Sequence, residues 1–186
     1  MNRIRKIVKM IPGIIKGIFH PGVKFPSYIG KNTKLKNNIT VGRTCVIGDY
    51  SDLRKSKQGN ITINGNTTIN NNSRIKTRGN GKIICGANTK LGRDSLLVAD
   101  SKSKIMINNN CYIGDGTAII ANDNSTIIID NSVFIGENCK IEASNDNRYI
   151  LSSEVIIHSN SKISTPENIS GNLRIGKKSI IHEDNF

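Results

Sequence analysis

IMINNNCYIGDGTAIIANDNST, residues 105–126, holds the pattern from which the rest of the chain can be read. Ile107, Ile113 and Ile119 stand six residues apart in it. Asn, Gly and Asp fill most of the space between them. A β-branched residue followed by turn formers, repeated at that interval, describes a short strand and then a corner. The same phrase returns every 22 residues, in units that begin at Ile39, Ile61, Ile83, Ile105, Ile127 and Tyr149. A last unit begins at Leu173 and arrives two residues late.

Aligned on that period, the apolar residues form three columns. One is Val41, Ile63, Cys85, Ile107, Ile129, Leu151 and Ile175. The second is Ile47, Ile69, Leu91, Ile113, Ile135, Ile157 and Ile181. The third is Leu53, Ile75, Leu97, Ile119, Ile141 and Ile163. Three six-residue sides make a triangular coil of 18 residues, and the remaining four are expected to form a loop at one corner. Each coil would pair with the coils above and below, satisfying its backbone in parallel ladders. Gly and Asn at the corners would tolerate left-handed backbone angles. An earlier hexad, Ile29–Leu35–Val41, extends the series. The expected fold is all-β: a left-handed parallel β-helix of about seven coils over residues 23–186. The six-residue step argues for the left hand. The absence of Trp and an aromatic content of 4% argue against a conventional globular core.

Residues 1–22 read differently. Ile4, Ile7, Val8, Ile11, Ile15 and Ile18 recur at helical spacing, with Arg3, Arg5, Lys6, Lys9 and Lys16 between them. The expectation is a short basic amphipathic helix, interrupted at Pro12-Gly13. It is too short and too charged to span a bilayer, and it lacks the small-residue cleavage site of a signal peptide. Two roles suit it: a lid on the open end of the solenoid, or docking on an anionic membrane surface.

Charge is distributed along the same axis. Residues 1–104 hold 21 of the 27 Lys and Arg but 4 of the 14 Asp and Glu. Arg54, Lys55, Lys57, Lys76, Arg78, Lys82, Lys102 and Lys104 fall in or beside the first three four-residue insertions, predicting a basic edge. Such an edge seeks an anionic partner or serves solubility. Nucleic acid is the weakest of these readings, because stacking aromatics are scarce and no binding motif occurs. Cys45, Cys85, Cys111 and Cys139 form no C-x-x-C pair and read as small interior residues of a reduced, cytoplasmic protein. No metal is expected. The outward positions show no obvious apolar stripe.

The residue after the second-column aliphatic runs Gly48, Asn70, Gly92, Gly114, Gly136, His158, His182. His158 and His182 therefore replace a corner Gly or Asn in adjacent coils, with backbones about 5 Å apart. An imidazole titrates near neutrality and can serve as a general base toward a hydroxyl. It also tolerates unusual corner geometry. His20, in the HPG that leads into the solenoid, reads as structural.

Hexads such as VGRTCV, IGDGTA and IGENCK resemble those of the hexapeptide-repeat acyltransferases with a left-handed β-helix, over residues 29–181. The 22-residue coil, the HPGVKF lead-in and the basic N-terminal stretch are most similar to O-acetyltransferases of cell-surface polysaccharide assembly. The resemblance implies a homotrimer that transfers acetyl from acetyl-CoA to a sugar hydroxyl, with a histidine as base. It implies work in the cytoplasm, peripheral to the inner membrane face. In such enzymes the histidine commonly follows a coil like VFIGENCKIEAS. Here the next residues are NDNRY, so Asn145, Asn147 and Arg148 become the candidates for substrate contact. The base role passes to His158 or His182. The alternative is a non-catalytic β-helix scaffold at a membrane surface.

Overall fold

The computed structural model describes residues 20–164 and 171–182. They form a parallel β-solenoid of about seven turns, and the described residues contain no helix. The amphipathic segment expected at the N-terminus lies largely outside the described residues.

Three parallel sheets make the walls. The first face has eight strands of two residues: Tyr28–Ile29, Val46–Ile47, Thr68–Ile69, Lys90–Leu91, Tyr112–Ile113, Phe134–Ile135, Ile156–Ile157 and Ile180–Ile181. The second has seven strands, at Lys34–Lys36, Asp52–Arg54, Arg74–Thr77, Leu96–Ala99, Ala118–Ala121, Lys140–Ala143 and Lys162–Ser164. The third also has seven, at Thr40–Val41, Asn60–Ile63, Lys82–Cys85, Lys104–Ile107, Thr126–Ile129, Arg148–Leu151 and Asn172–Ile175. Strands pair in strict register, Leu91 opposite Ile113 and Ile113's strand opposite that of Ile135. The three apolar columns read from the sequence point inward and are buried throughout. Each full Ile burial is worth about 1.5–3 kcal/mol.

The four extra residues per coil do not form a loop as expected. In the opening coil, which lacks them, the second and third faces carry strands Lys34–Lys36 and Thr40–Val41. From Arg74 to Leu151 both neighbouring strands have four residues, and in the first of these coils residues 78–81 alone turn the corner. Alternation of burial continues through the added strand, as in Lys82–Cys85. Two further inward columns result: Thr77, Ala99, Ala121 and Ala143 on one strand, and Ile61, Ile83, Ile105, Ile127 and Tyr149 on the other. The insertion draws out one vertex of the triangle and fills it with side chains.

The residues at the start of the first two faces also point inward, and most are small. One series is Ser27, Cys45, Thr67, Thr89, Cys111, Val133 and Val155; the other is Thr33, Ser51, Ser73, Ser95, Thr117, Cys139 and Ser161. Their hydroxyls donate to corner carbonyls of the next coil, as Thr67 does to Gly86 at 2.7 Å and Thr117 to Gly136 at 2.8 Å. The thiols do the same: Cys111 Sγ lies 2.9 Å from the Asp130 carbonyl and Cys139 Sγ 3.0 Å from that of His158. All four cysteines are buried and unbridged.

Candidate functional site

The first corner, between the first and second faces, carries the histidines. Ile157 and Ile181 point inward on paired strands, so the residues after them turn outward together. The His158 and His182 rings stack with centroids 4.6 Å apart and planes inclined by 18°. Both are exposed. The backbone beneath is held by the His158 amide, which donates to the Ile181 carbonyl at 2.9 Å.

Why Gly fills this position in other coils is a matter of space and not of left-handed backbone, contrary to expectation. A Cβ on Gly114 would lie 2.4 Å from the Gly136 carbonyl carbon, and one on Gly136 would lie 2.4 Å from the Ser159 amide nitrogen. The positive φ falls two residues later, at Asn32, Tyr50, Asn72, Asp94, Gly116, Asn138 and Asn160. His158 and His182 are not among the residues of positive φ, so both occupy ordinary backbone, and their rings stack on the outside of it.

The other predicted site residues lie elsewhere. Asn145, Asn147 and Arg148 sit at the corner between the second and third faces, so the fold does not bring them beside the histidines. Asn145 and Arg148 are exposed. Asn147 is 0% exposed, and its side chain bonds the Ser144 carbonyl and the Gly171 amide. Its polar atoms close the corner of the late-arriving coil.

That corner also carries the basic edge. Lys82 and Lys104 are opposite each other on paired strands. Asp52 binds Arg54 at 2.5 Å and Lys76 at 3.6 Å, and Asp100 binds Arg78 at 3.4 Å. Among the described residues Lys57, Lys82, Lys102 and Lys104 make no ion pair.

The thiols offer no nucleophile. Burial pushes the Cys85 thiol up to about 12, and burial likewise raises Cys45, Cys111 and Cys139. Among the described residues no group of three His, Cys, Asp or Glu is placed to hold a metal, and no helix is long and apolar enough to cross a membrane.

An apolar outward column does exist, on the first face. Val46, Tyr112, Phe134, Ile156 and Ile180 stand at one register position, with Phe134 44% and Ile180 53% exposed. Tyr112 and Phe134 stack at 4.9 Å, and the Lys90 ammonium lies 5.4 Å above the Tyr112 ring. The signal was the residue just before each second-column aliphatic. Thr68 and Lys90 in the same column conceal it in any single coil.

No family model matches the chain, and no curated protein is significantly similar to it.

Proposed function

We propose that this solenoid is an acyltransferase of the hexapeptide-repeat kind, acting on a sugar hydroxyl in cell-surface polysaccharide assembly. The observation that carries the reading is the stacked, exposed pair His158 and His182 at a corner where other coils hold Gly or Asn. Acetyl-CoA would supply the activated acyl group. His158 takes the proton of the acceptor hydroxyl as the new ester bond forms, and passes it to the departing thiolate. His182 holds the ring of His158 by stacking. Ile156 and Ile180, two residues before the histidines on the same outward run, suit the methylene and amide arm of the donor. Exposed Lys162, four residues past His158, suits its phosphates.

The test is release of free thiol from acetyl-CoA in the presence of a panel of glycan acceptors. General-base catalysis contributes about 10²- to 10⁴-fold. His158→Ala is expected to lower the rate by about that factor, and His182→Ala by less. Transfer by His158→Ala at the wild-type rate would remove this histidine from the mechanism.

The outward column on the first face supports a second reading, a scaffold whose function is self-association. An outward apolar row, unbroken here from Tyr112 to Ile180, is a common mark of an interface. The same row would serve an enzyme trimer. Absence of acetyl-CoA binding by a folded sample would favour the scaffold.

A further inference from the structure

The first corner carries another distinctive group at its opposite end. The position of positive φ holds Asn, Asp or Gly in six of its seven coils, and Tyr50 in the other. Short polar side chains and glycine adopt this conformation readily, whereas an aromatic residue pays strain there. Tyr50 has φ 57° and is 62% exposed, so burial of its ring does not offset that cost. The fold imposes this conformation on the corner in every coil, and residues held in sparsely populated backbone regions cluster at binding and active sites.

Tyr50 forms one wall of a cleft of about 390 Å³ with Asn72, Arg74, Asp94 and Leu96. That volume lies in the lower part of the range for small-ligand pockets. Arg74 makes no ion pair among the described residues; its in-register neighbour Asp52 is engaged by Arg54 and Lys76. The lining thus offers one aromatic face, one aliphatic patch, an amide, a carboxylate and an available guanidinium fork. A pyranose matches this set. Its C–H face lies on an aromatic ring, while its hydroxyls both donate to a carboxylate and accept from amide and guanidinium groups. A nucleobase would want a second flat surface, and the lining has a single ring. A phosphate would meet Asp94 beside the one arginine.

We infer that the Tyr50 cleft is a saccharide subsite that takes one pyranose unit of a glycan. Its identification with the acceptor rests on the acyltransferase reading. Tyr50 and Asn160 stand at the same corner position five coils apart, about 24 Å at the spacing of paired strands. Exposed Asn72, Asp94, Gly116 and Asn138 mark the way between them. An acceptor reaching from Tyr50 to the histidines is therefore an oligosaccharide.

Saturation-transfer NMR on the full chain, with methyl pyranosides and their oligomers and no acetyl-CoA, tests the cleft. Transfer is expected to the C–H protons of one sugar face. Tyr50→Asn restores the residue this corner prefers, so it should raise Tm by about 2–4 °C while weakening binding at least about tenfold. Arg74→Gln should weaken binding, and His158→Ala should leave it intact. Absence of pyranoside binding by the wild type, or equal binding by Tyr50→Asn, would overturn the inference. Neither outcome depends on acyl transfer, so failure of the histidine mechanism and failure of the cleft are read separately.

Discussion

At single inward positions this fold accepts a hydroxyl or a thiol, and Thr117 shows why. Its hydroxyl donates to the Gly136 carbonyl at 2.8 Å and accepts from the Cys139 amide at 3.1 Å, tying its coil to the next at two points. Thr117→Val keeps the volume and removes both bonds. Urea denaturation should show a loss of about 1–3 kcal/mol; unchanged stability would mean that the side chain only fills space. Cysteine alone would have said little of this, since its place in an alternating pattern reports size and burial but not the carbonyl it faces. Cys85 gives a second test. Its thiol is raised in the folded state, so its contribution is present below the thiol's ordinary value near 9 and is lost as pH rises toward about 12. Over that window the wild type should lose stability more steeply than Cys85→Val, by about 1.4 kcal/mol per pH unit. Parallel curves for the two proteins would contradict it.

At the scale of the coil, the six-residue step was enough to place the three inward columns, because those positions hold an aliphatic residue or Cys in every turn. The drawn-out corner was not legible in the same way. Polar runs such as Arg78-Gly79-Asn80 dominate it, and the strand residues on either side are too few to display a period alone. The corner histidines could be placed in adjacent coils from spacing, but the sequence did not say that Gly at their position answers a close approach. That reason has a consequence. Gly136→Ala puts a methyl into the backbone of the following coil, and a loss of at least about 2 kcal/mol is expected in thermal or chemical unfolding. Asn138→Gly, two residues later at φ 54°, should be tolerated. A reversed order of stability for these two variants would refute the assignment of space to one position and backbone freedom to the other.

Over the whole molecule, two surfaces differ in chemistry. The first face carries its apolar row toward the C-terminal coils, and the corner between the second and third faces carries unpaired lysines toward the N-terminal ones. Linear sequence revealed the charge gradient at once, because it needs only counting. The apolar row required knowing which residues stack outward. If the row joins copies of the chain, Phe134→Lys with Ile156→Lys should reduce the mass seen by sedimentation while the fold persists. An unchanged mass would place self-association elsewhere. If the basic edge meets anionic lipid, binding to phosphatidylserine vesicles should fall with salt. Lys82→Glu with Lys104→Glu should weaken it further, at about 1 kcal/mol per basic residue removed. Salt-insensitive binding would exclude that role.

Strict register between one coil and the next also governs how such a chain can change length. The strand Lys104–Ile107 meets Thr126–Ile129 residue for residue, so residues 105–126 can be removed as a block and Lys104 rejoined to Ile127 without shifting any remaining partner. Loss or gain of one residue inside a strand would instead turn every later side chain of that strand to the wrong face. The length of its walls is in that sense quantised: whole turns can be gained or lost like links of a chain, the corners can take up a few residues as the 18- and 24-residue turns do, and a single residue within a strand cannot be spared.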